Sequence, residues 1–298
     1  EREGMTTREV VKALSQEFGL AQTQIGYAGL KDKEARCIQT FSLADIGIEE
    51  TEVQRRVTQS LGLEAHWVKR HGNKLKRGHL LGNRFEVLVS EVGDEALTRA
   101  QKVAVAINQS GLPNYFGEQR FGVAGDNAEA GRRLLKGRGK KGPRQKWLRG
   151  LMLNAFQSEL FNRWLAQRIR RGEFGSLLLG DIAKKTDTGG LFQVDDPLVE
   201  QLRLDRGEIT YTGPIYGHKM RCAAAEAGKH EAQVLEEENV SLEELKKAGL
   251  KGTRRPARLI PGSIQIRPHD AGGVQGLWFS FALPKGSYAT ILLREFIK

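Results

Sequence analysis

Few side chains in this sequence are placed to do chemistry. The six histidines, His66, His71, His79, His218, His230 and His269, show no H-E-x-x-H spacing and no paired C-x-x-C, so no metal site is expected. Cys37 and Cys222 lie far apart, which predicts two free thiols and a reducing, cytoplasmic setting. Residues 137–142 formally spell G-x-G-x-x-G, but two lysines fill the motif, Pro143 follows it and no strand precedes it, which argues against a dinucleotide site. There is no G-x-x-x-x-G-K-[S/T] and no G-x-S-x-G, and no serine or cysteine has an evident base. What remains is a carboxylate. Asp32 sits between Lys31 and Lys33, just past the glycine-bearing apolar run Gly26-Tyr27-Ala28-Gly29-Leu30. A loop residue delivered by a rigid strand is well placed for catalysis, and an ionised carboxylate beside two cations can act as nucleophile or base. Taken alone, however, the tripeptide fits a solvated turn aspartate at least as well.

The elements that must position Asp32 are legible in outline. Thr6-Thr7-Arg8-Glu9 has the form of a capping box. Val10, Val11, Leu14 and Phe18 follow at helical spacing, and Gly19 can end the helix. Ile25–Leu30 reads as a short buried strand with Cys37–Leu43 as its returning partner, Thr51–Leu61 as a helix, and Trp67 and Val68 as part of a strand. A basic, Gly-punctuated loop spans 72–82. Phe85, Val87 and Val89 alternate as in a strand, and Asp94–Gln109 reads as a helix. The character changes at Gly111, where a stretch rich in glycine and aromatics begins. A charged loop over 136–146 then leads into a long helix, Trp147–Arg171, and helices are expected to dominate as far as Gly249. Strands return at Ser263–Arg267 and Gly276–Ala282. Ala289, Leu292, Leu293 and Phe296 predict a final helix. The layout predicts an α+β fold: one domain built from residues 1–110 and 256–298, interrupted by a largely helical insertion over 111–255.

Composition narrows the class of partner. The 298 residues carry a formal charge of +11, with a pI near 9.7, which favours a polyanion. The charge is also segregated. Between His66 and Arg84 there are six Lys/Arg and three His with no acid, and between Ala130 and Ser158 nine Lys/Arg with no acid. Solvated faces would explain one such stretch; two favour nucleic acid. The candidate phosphate contacts are Lys74, Lys76 and Arg77 in the first, and Lys140, Lys141 and Arg144, beside Arg138, in the second. No apolar run is long enough to span a bilayer and no secretion leader opens the chain, so neither membrane nor export is expected.

Four ordered stretches carry a family resemblance along nearly the whole chain. Gly26-Tyr27-Ala28-Gly29-Leu30-Lys31-Asp32-Lys33 resembles the signature around the catalytic aspartate of TruD-type tRNA pseudouridine synthases. Gly82-Asn83-Arg84-Phe85 resembles the family's G-N-x-F. Pro113-Asn114-Tyr115-Phe116-Gly117-Glu118-Gln119-Arg120-Phe121-Gly122 resembles its most distinctive segment, here read as architectural at the domain junction. Leu283-Pro284-Lys285-Gly286-Ser287-Tyr288-Ala289-Thr290 resembles its C-terminal L-P-x-G-S-[F/Y]-A-T.

Position by position, the resemblance implies that Asp32 is the catalytic aspartate. It implies that Asn83 and Tyr288 contact the target uridine, with Phe85 beside them. It also implies no cofactor, uridine 13 of tRNA as the site, and a helical domain over 111–255 inserted into a pseudouridine-synthase-like mixed-sheet catalytic domain formed by 1–110 and 256–298. Tyr288 stands where relatives often carry Phe; both present a ring face. The family also has an N-terminal strand with a P-x-D-F-like motif whose Phe touches substrate, and this sequence opens after it, so a preceding segment is expected. On residues alone, Phe85 and Tyr288 would also serve as plain core and Asn83 as a turn residue. An isomerase acting as a monomer on tRNA, with no obligate protein partner, is the leading expectation. The alternative is an RNA-binding protein that retains the fold without catalysis.

Overall fold

A computed structural model describes residues 1–137, 143 and 145–297, apart from the side chain of Arg77. The backbone divides into two compact units, Glu1–Leu81 and Gly82–Lys298.

The first unit holds α1 (Thr7–Phe18), β1 (Gly26–Tyr27), β2 (Phe41–Ser42) and α2 (Glu50–Leu61). The Thr6 hydroxyl accepts from the Glu9 amide at 3.2 Å and the Glu9 carboxylate accepts from the Thr6 amide at 2.6 Å, so two of the free N–H groups at the start of α1 are satisfied. Val10, Val11 and Leu14 fall on one face and are buried with Ile25 and Leu63. Each such side chain contributes roughly 1.5–3 kcal/mol. The β1 strand pairs antiparallel with β2, as the returning-strand reading predicts, although each is only two residues long. Trp67 and Val68 do not form a strand. The segment from 62 to 76 lacks regular structure, and the Trp67 indole is exposed, so no buried face anchors a ladder there.

The second unit opens with β3 (Gly82–Ser90), α3 (Ala96–Ser110), β4 (Leu112–Pro113), α4 (Asn127–Leu135) and α5 (Lys146–Arg170). It continues with β5 (Ile182–Lys185), β6 (Leu191–Gln193), α6 (Pro197–Asp205), β7 (Ile209–Ile215), α7 (Ala225–Glu237) and α8 (Leu242–Lys247). It closes with β8 (Thr253–Pro256), β9 (Arg258–Leu259), β10 (Gln265–Ala271), β11 (Val274–Pro284) and α9 (Ala289–Ile297).

Two buried clusters organise this unit. One faces the three-stranded antiparallel sheet β10-β11-β3. Leu277, Phe279, Phe281 and Leu283 alternate inward along β11, and Ala100 and Ile107 of α3 with Ile291 and Leu292 of α9 cover them. The other gathers Phe156, Leu160, Phe161, Trp164 and Leu165 of α5 against Ile209 and Tyr211 of β7, Val234 of α7 and Leu245.

The stretch from Arg171 to Gly249 is less helical than its sequence predicts. Three strands of a four-stranded antiparallel sheet, ordered β6-β5-β7-β8, start within it. Tyr211, Thr212 and Gly213 are consecutive and all buried, as are Ile182 and Ala183, so burial does not alternate there; Ile209-Thr210-Tyr211-Thr212 nonetheless alternates apolar and polar residues, a strand signal that the helical reading passes over. Two buried ion pairs pin this region: Arg168 grips Asp181 with two hydrogen bonds of 2.7 Å, and Arg254 meets Glu231 at 2.6 Å. Among the described residues, no helix is long and apolar enough to cross a membrane.

Candidate active site

In the first unit the chain leaves β1, passes through Gly29 at φ +75°, and presents an exposed Asp32. Only glycine adopts that backbone without strain. Three side chains hold the turn in place. The Gln39 amide donates to the carbonyls of Ala28 (3.2 Å) and Gly29 (3.1 Å). Its oxygen accepts from the Thr7 hydroxyl (3.0 Å) and from Nη1 of Arg2 (3.1 Å). The Thr7 hydroxyl oxygen accepts from the Lys31 amide at 3.0 Å and from Nη2 of Arg2 at 3.1 Å. Arg2 also donates through Nε to the Met5 carbonyl, and its backbone exchanges hydrogen bonds of 2.9 and 2.8 Å with Cys37. Arg2 and Thr7 are buried, with 6% and 1% of their surface exposed. The backbone is therefore fixed on both sides of Leu30, within three residues of the exposed carboxylate. Lys33 reaches Glu9 at 4.0 Å.

Sequence reasoning singled out Asp32 and missed Arg2, Thr7 and Gln39. Thr7 carried a partial signal, being the first residue after a helix cap. Gln39 carried none, because its value lies in a fold-dependent approach to residues ten and eleven positions away.

In the second unit, Asn83 and Phe85 point to one face of β3, opposite Leu283 and Phe281 of β11. The Phe85 ring stacks on Phe281 with centroids 5.4 Å apart, half-exposed at the edge of the buried cluster. Gly82 explains the start of G-N-x-F, since a Cβ there would stand 2.4 Å from the Leu283 carbonyl oxygen. Tyr288 precedes α9 and packs against the same cluster as Phe85. A Cβ on Gly117 would meet its ring at 3.2 Å, and Phe116 meets it edge-on at 6.2 Å. Phe116 is in turn T-shaped against Phe161 at 5.6 Å. Asn114 is buried; its side-chain amide donates to the Pro256 carbonyl at 2.7 Å and its backbone amide to the Ala257 carbonyl at 2.9 Å.

Asp32 belongs to the first compact unit, while Asn83, Phe85 and Tyr288 belong to the second. Of the basic candidates, Lys74 and Lys76 are exposed, and the Lys74 ammonium donates to the Thr23 carbonyl. Arg77 opens a short 3-10 turn, Arg77–His79. Arg138, Lys140, Lys141 and Arg144 lie outside the described residues.

Among the described residues, two groupings have the composition of metal ligands, Glu1 with Glu64 and His66, and Glu173 with Glu226 and His230. Both already contain His–carboxylate contacts, at 2.9 Å for His66–Glu1 and 3.5 Å for His230–Glu173.

The sequence profile of the tRNA pseudouridine synthase D (TruD) family matches residues 1–142 and 144–296. A tRNA pseudouridine synthase D from Anaeromyxobacter sp. (strain Fw109-5) is 42% identical over 304 residues, an alignment covering all of this chain and 84% of the relative. One from Thermus thermophilus is 41% identical over 300 residues, covering all of this chain and 80% of its own length. A solved structure from Methanosarcina mazei, described as a candidate tRNA pseudouridine synthase D, superposes with a TM-score of 0.76 at 22% identity. It covers 98% of this chain and 85% of that one, a likeness of fold.

Proposed function

The chain belongs to the tRNA pseudouridine synthase D family, and from that premise we propose that it isomerises uridine to pseudouridine in tRNA, at position 13, with Asp32 as the catalytic carboxylate. The reaction breaks the N1–C1′ bond, turns the uracil and joins C5 to C1′. C5 loses a proton and N1 gains one, so the balance calls for no oxidant, reductant or group donor. Three routes suit a carboxylate: attack on C1′ with N1 departing, removal of the C2′ proton, or addition to C6 of the base.

The observation that carries this reading is the Asp32 turn. It is gripped through the backbone at Ala28, Gly29 and Lys31 while the carboxylate itself remains exposed. That is the pattern of a reacting group held on a fixed frame. Asn83 carries donors and an acceptor suited to a uracil or ribose edge. Phe85 and Tyr288 present rings to a base taken out of its stack, each contact worth about 1–3 kcal/mol. Lys74, Lys76, Arg77, Lys140, Lys141 and Arg144 supply phosphate contacts. The two free cysteines support a cytoplasmic setting, and the enzyme acts as a monomer without an obligate protein partner. Release of tritium from tRNA carrying 5-tritiated uridine tests the reaction, because C5 surrenders its hydrogen as the new bond forms.

A further inference from the structure

Two guanidinium groups flank one aromatic ring in the P-N-Y-F-G-E-Q-R segment, and no carboxylate balances them among the described residues. The Arg255 guanidinium lies 4.0 Å from the centroid of Phe116 and that of Arg120 lies 5.5 Å from it. Every acceptor they use is neutral. Arg255 donates to the carbonyl (3.1 Å) and side-chain oxygen (2.6 Å) of Asn114 and to the Tyr115 carbonyl (3.5 Å). Arg120 donates to the Ser158 hydroxyl (2.9 Å) and the Asn154 carbonyl (3.5 Å).

Arg120 and Arg255 are half-buried; the buried arginine side chains in this chain end differently. Arg168 and Arg254 have carboxylates at 2.7 and 2.6 Å. Arg2 and Arg258 have none, but all three nitrogens of each donate to oxygen acceptors. Arg120 and Arg255 each keep Nη1 without a hydrogen-bond partner among the described residues. Burial, opposed by the Tyr288 phenol and reinforced by Arg120, pushes Arg255 down to about 10, so it remains a cation at neutral pH.

A third donor lies in the same neighbourhood. Nη1 of Arg255 is 3.6 Å from where a Cβ on Gly286 would stand, and the next residue, Ser287, has a buried hydroxyl with no hydrogen-bond partner among the described residues. Tyr288 follows at once, against Gly117 and Phe116. A planar guanidinium with free N–H groups beside a second cation and a hydroxyl has the donor set of a phosphate site. We propose that Arg120 and Arg255 bind the RNA phosphate adjoining the uridine that Tyr288 contacts, with the Ser287 hydroxyl as a third donor.

The proposal rests on the reading of Tyr288 as part of the uridine pocket. It assigns these two arginines a task distinct from the exposed lysines: fixing the backbone of the displaced nucleotide, not gathering tRNA from solution. If the arginines only brace β8 against the 114–120 segment, the RNA backbone charge at this point is irrelevant to them.

A synthetic RNA substrate with the phosphate on either side of the target uridine replaced, one at a time, by an uncharged methylphosphonate separates the two. Binding and single-turnover isomerisation are measured in parallel. One of the two replacements is expected to weaken wild-type binding or turnover by about tenfold. Arg120→Gln is expected to weaken the unmodified RNA similarly and to be indifferent to that replacement. Arg255→Lys, which keeps the charge and loses the fork with its bonds to Asn114, is expected to fall between and to melt lower, whereas Arg120→Gln is expected to melt as wild type. Wild type binding and converting both methylphosphonate RNAs within about twofold of the parent would overturn the proposal. So would penalties from Arg120→Gln and methylphosphonate that simply multiply. Failure of wild type to isomerise even the unmodified RNA would count against the functional reading, while the binding arm would still decide the subsite.

Discussion

At the scale of single residues, the catalytic role proposed for Asp32 requires a held backbone, and Gln39 is the residue that holds most of it. Its one amide bridges two turn carbonyls, Arg2 and Thr7. Replacing it by alanine removes several hydrogen bonds at once, each worth about 0.5–1.5 kcal/mol net. Gln39→Ala is therefore expected to lower kcat for isomerisation by about tenfold or more while leaving tRNA affinity within about twofold. An equal loss in affinity and turnover would reduce Gln39 to a general stabiliser of the first unit. Tyr288 offers a second test. Tyr288→Phe keeps the ring and is expected to be mild; Tyr288→Ala removes stacking and is expected to cost about 1–3 kcal/mol in the chemical step. Equal losses in both would point to the hydroxyl. The sequence displayed these residues unevenly. Asp32, Phe85 and Tyr288 stand in contiguous motifs and could be picked out. Gln39, Arg255 and Ser287 matter through contacts made across the fold, so no local pattern marks them.

At the scale of elements, motif glycines and buried pairs fix the frame. Gly82 lies where a Cβ would meet the Leu283 carbonyl oxygen at 2.4 Å, so Gly82→Ala forces β3 away from β11 at the end that carries Asn83. A destabilisation of about 1–3 kcal/mol is expected by denaturant unfolding, with wild-type-like unfolding as the contrary result. The bidentate Arg168–Asp181 pair is almost completely buried, and Asp181→Ala strands a charge; about 3–5 kcal/mol is expected to be lost. Helices α1, α3, α5 and α9 were legible because their apolar residues recur at helical spacing. The sheet β6-β5-β7-β8 was not: β5 and β6 span only four and three residues, and the alternating Ile209-Thr210-Tyr211-Thr212 that opens β7 is a single short signal among helical segments. We propose that the second buried cluster, centred on Phe161 and Tyr211, is the core of an insertion over 111–255, and that the sheet β10-β11-β3 belongs to the catalytic domain. The antiparallel pairing of β3 with β11, which joins segments far apart in the chain, supports that division.

At the scale of the whole molecule, a charge of +11 favours a polyanionic partner, and the two basic stretches are the proposed phosphate contacts. Neutralising Lys140, Lys141 and Arg144 together is expected to weaken tRNA binding and flatten its dependence on salt, because fewer counterions are released, while turnover at saturating tRNA holds. Superimposable salt curves would make that stretch plain solvated surface. On the proposed reading, binding and catalysis should thus separate: the basic residues are expected to set affinity and the Asp32 turn to set rate. The measurement that tests this most directly is tritium release from 5-tritiated uridine tRNA by wild type and Asp32→Asn, with tRNA affinity measured on the same preparations. Release by wild type, none detectable from Asp32→Asn, and equal affinities are expected. Release by Asp32→Asn within about tenfold of wild type would contradict the account.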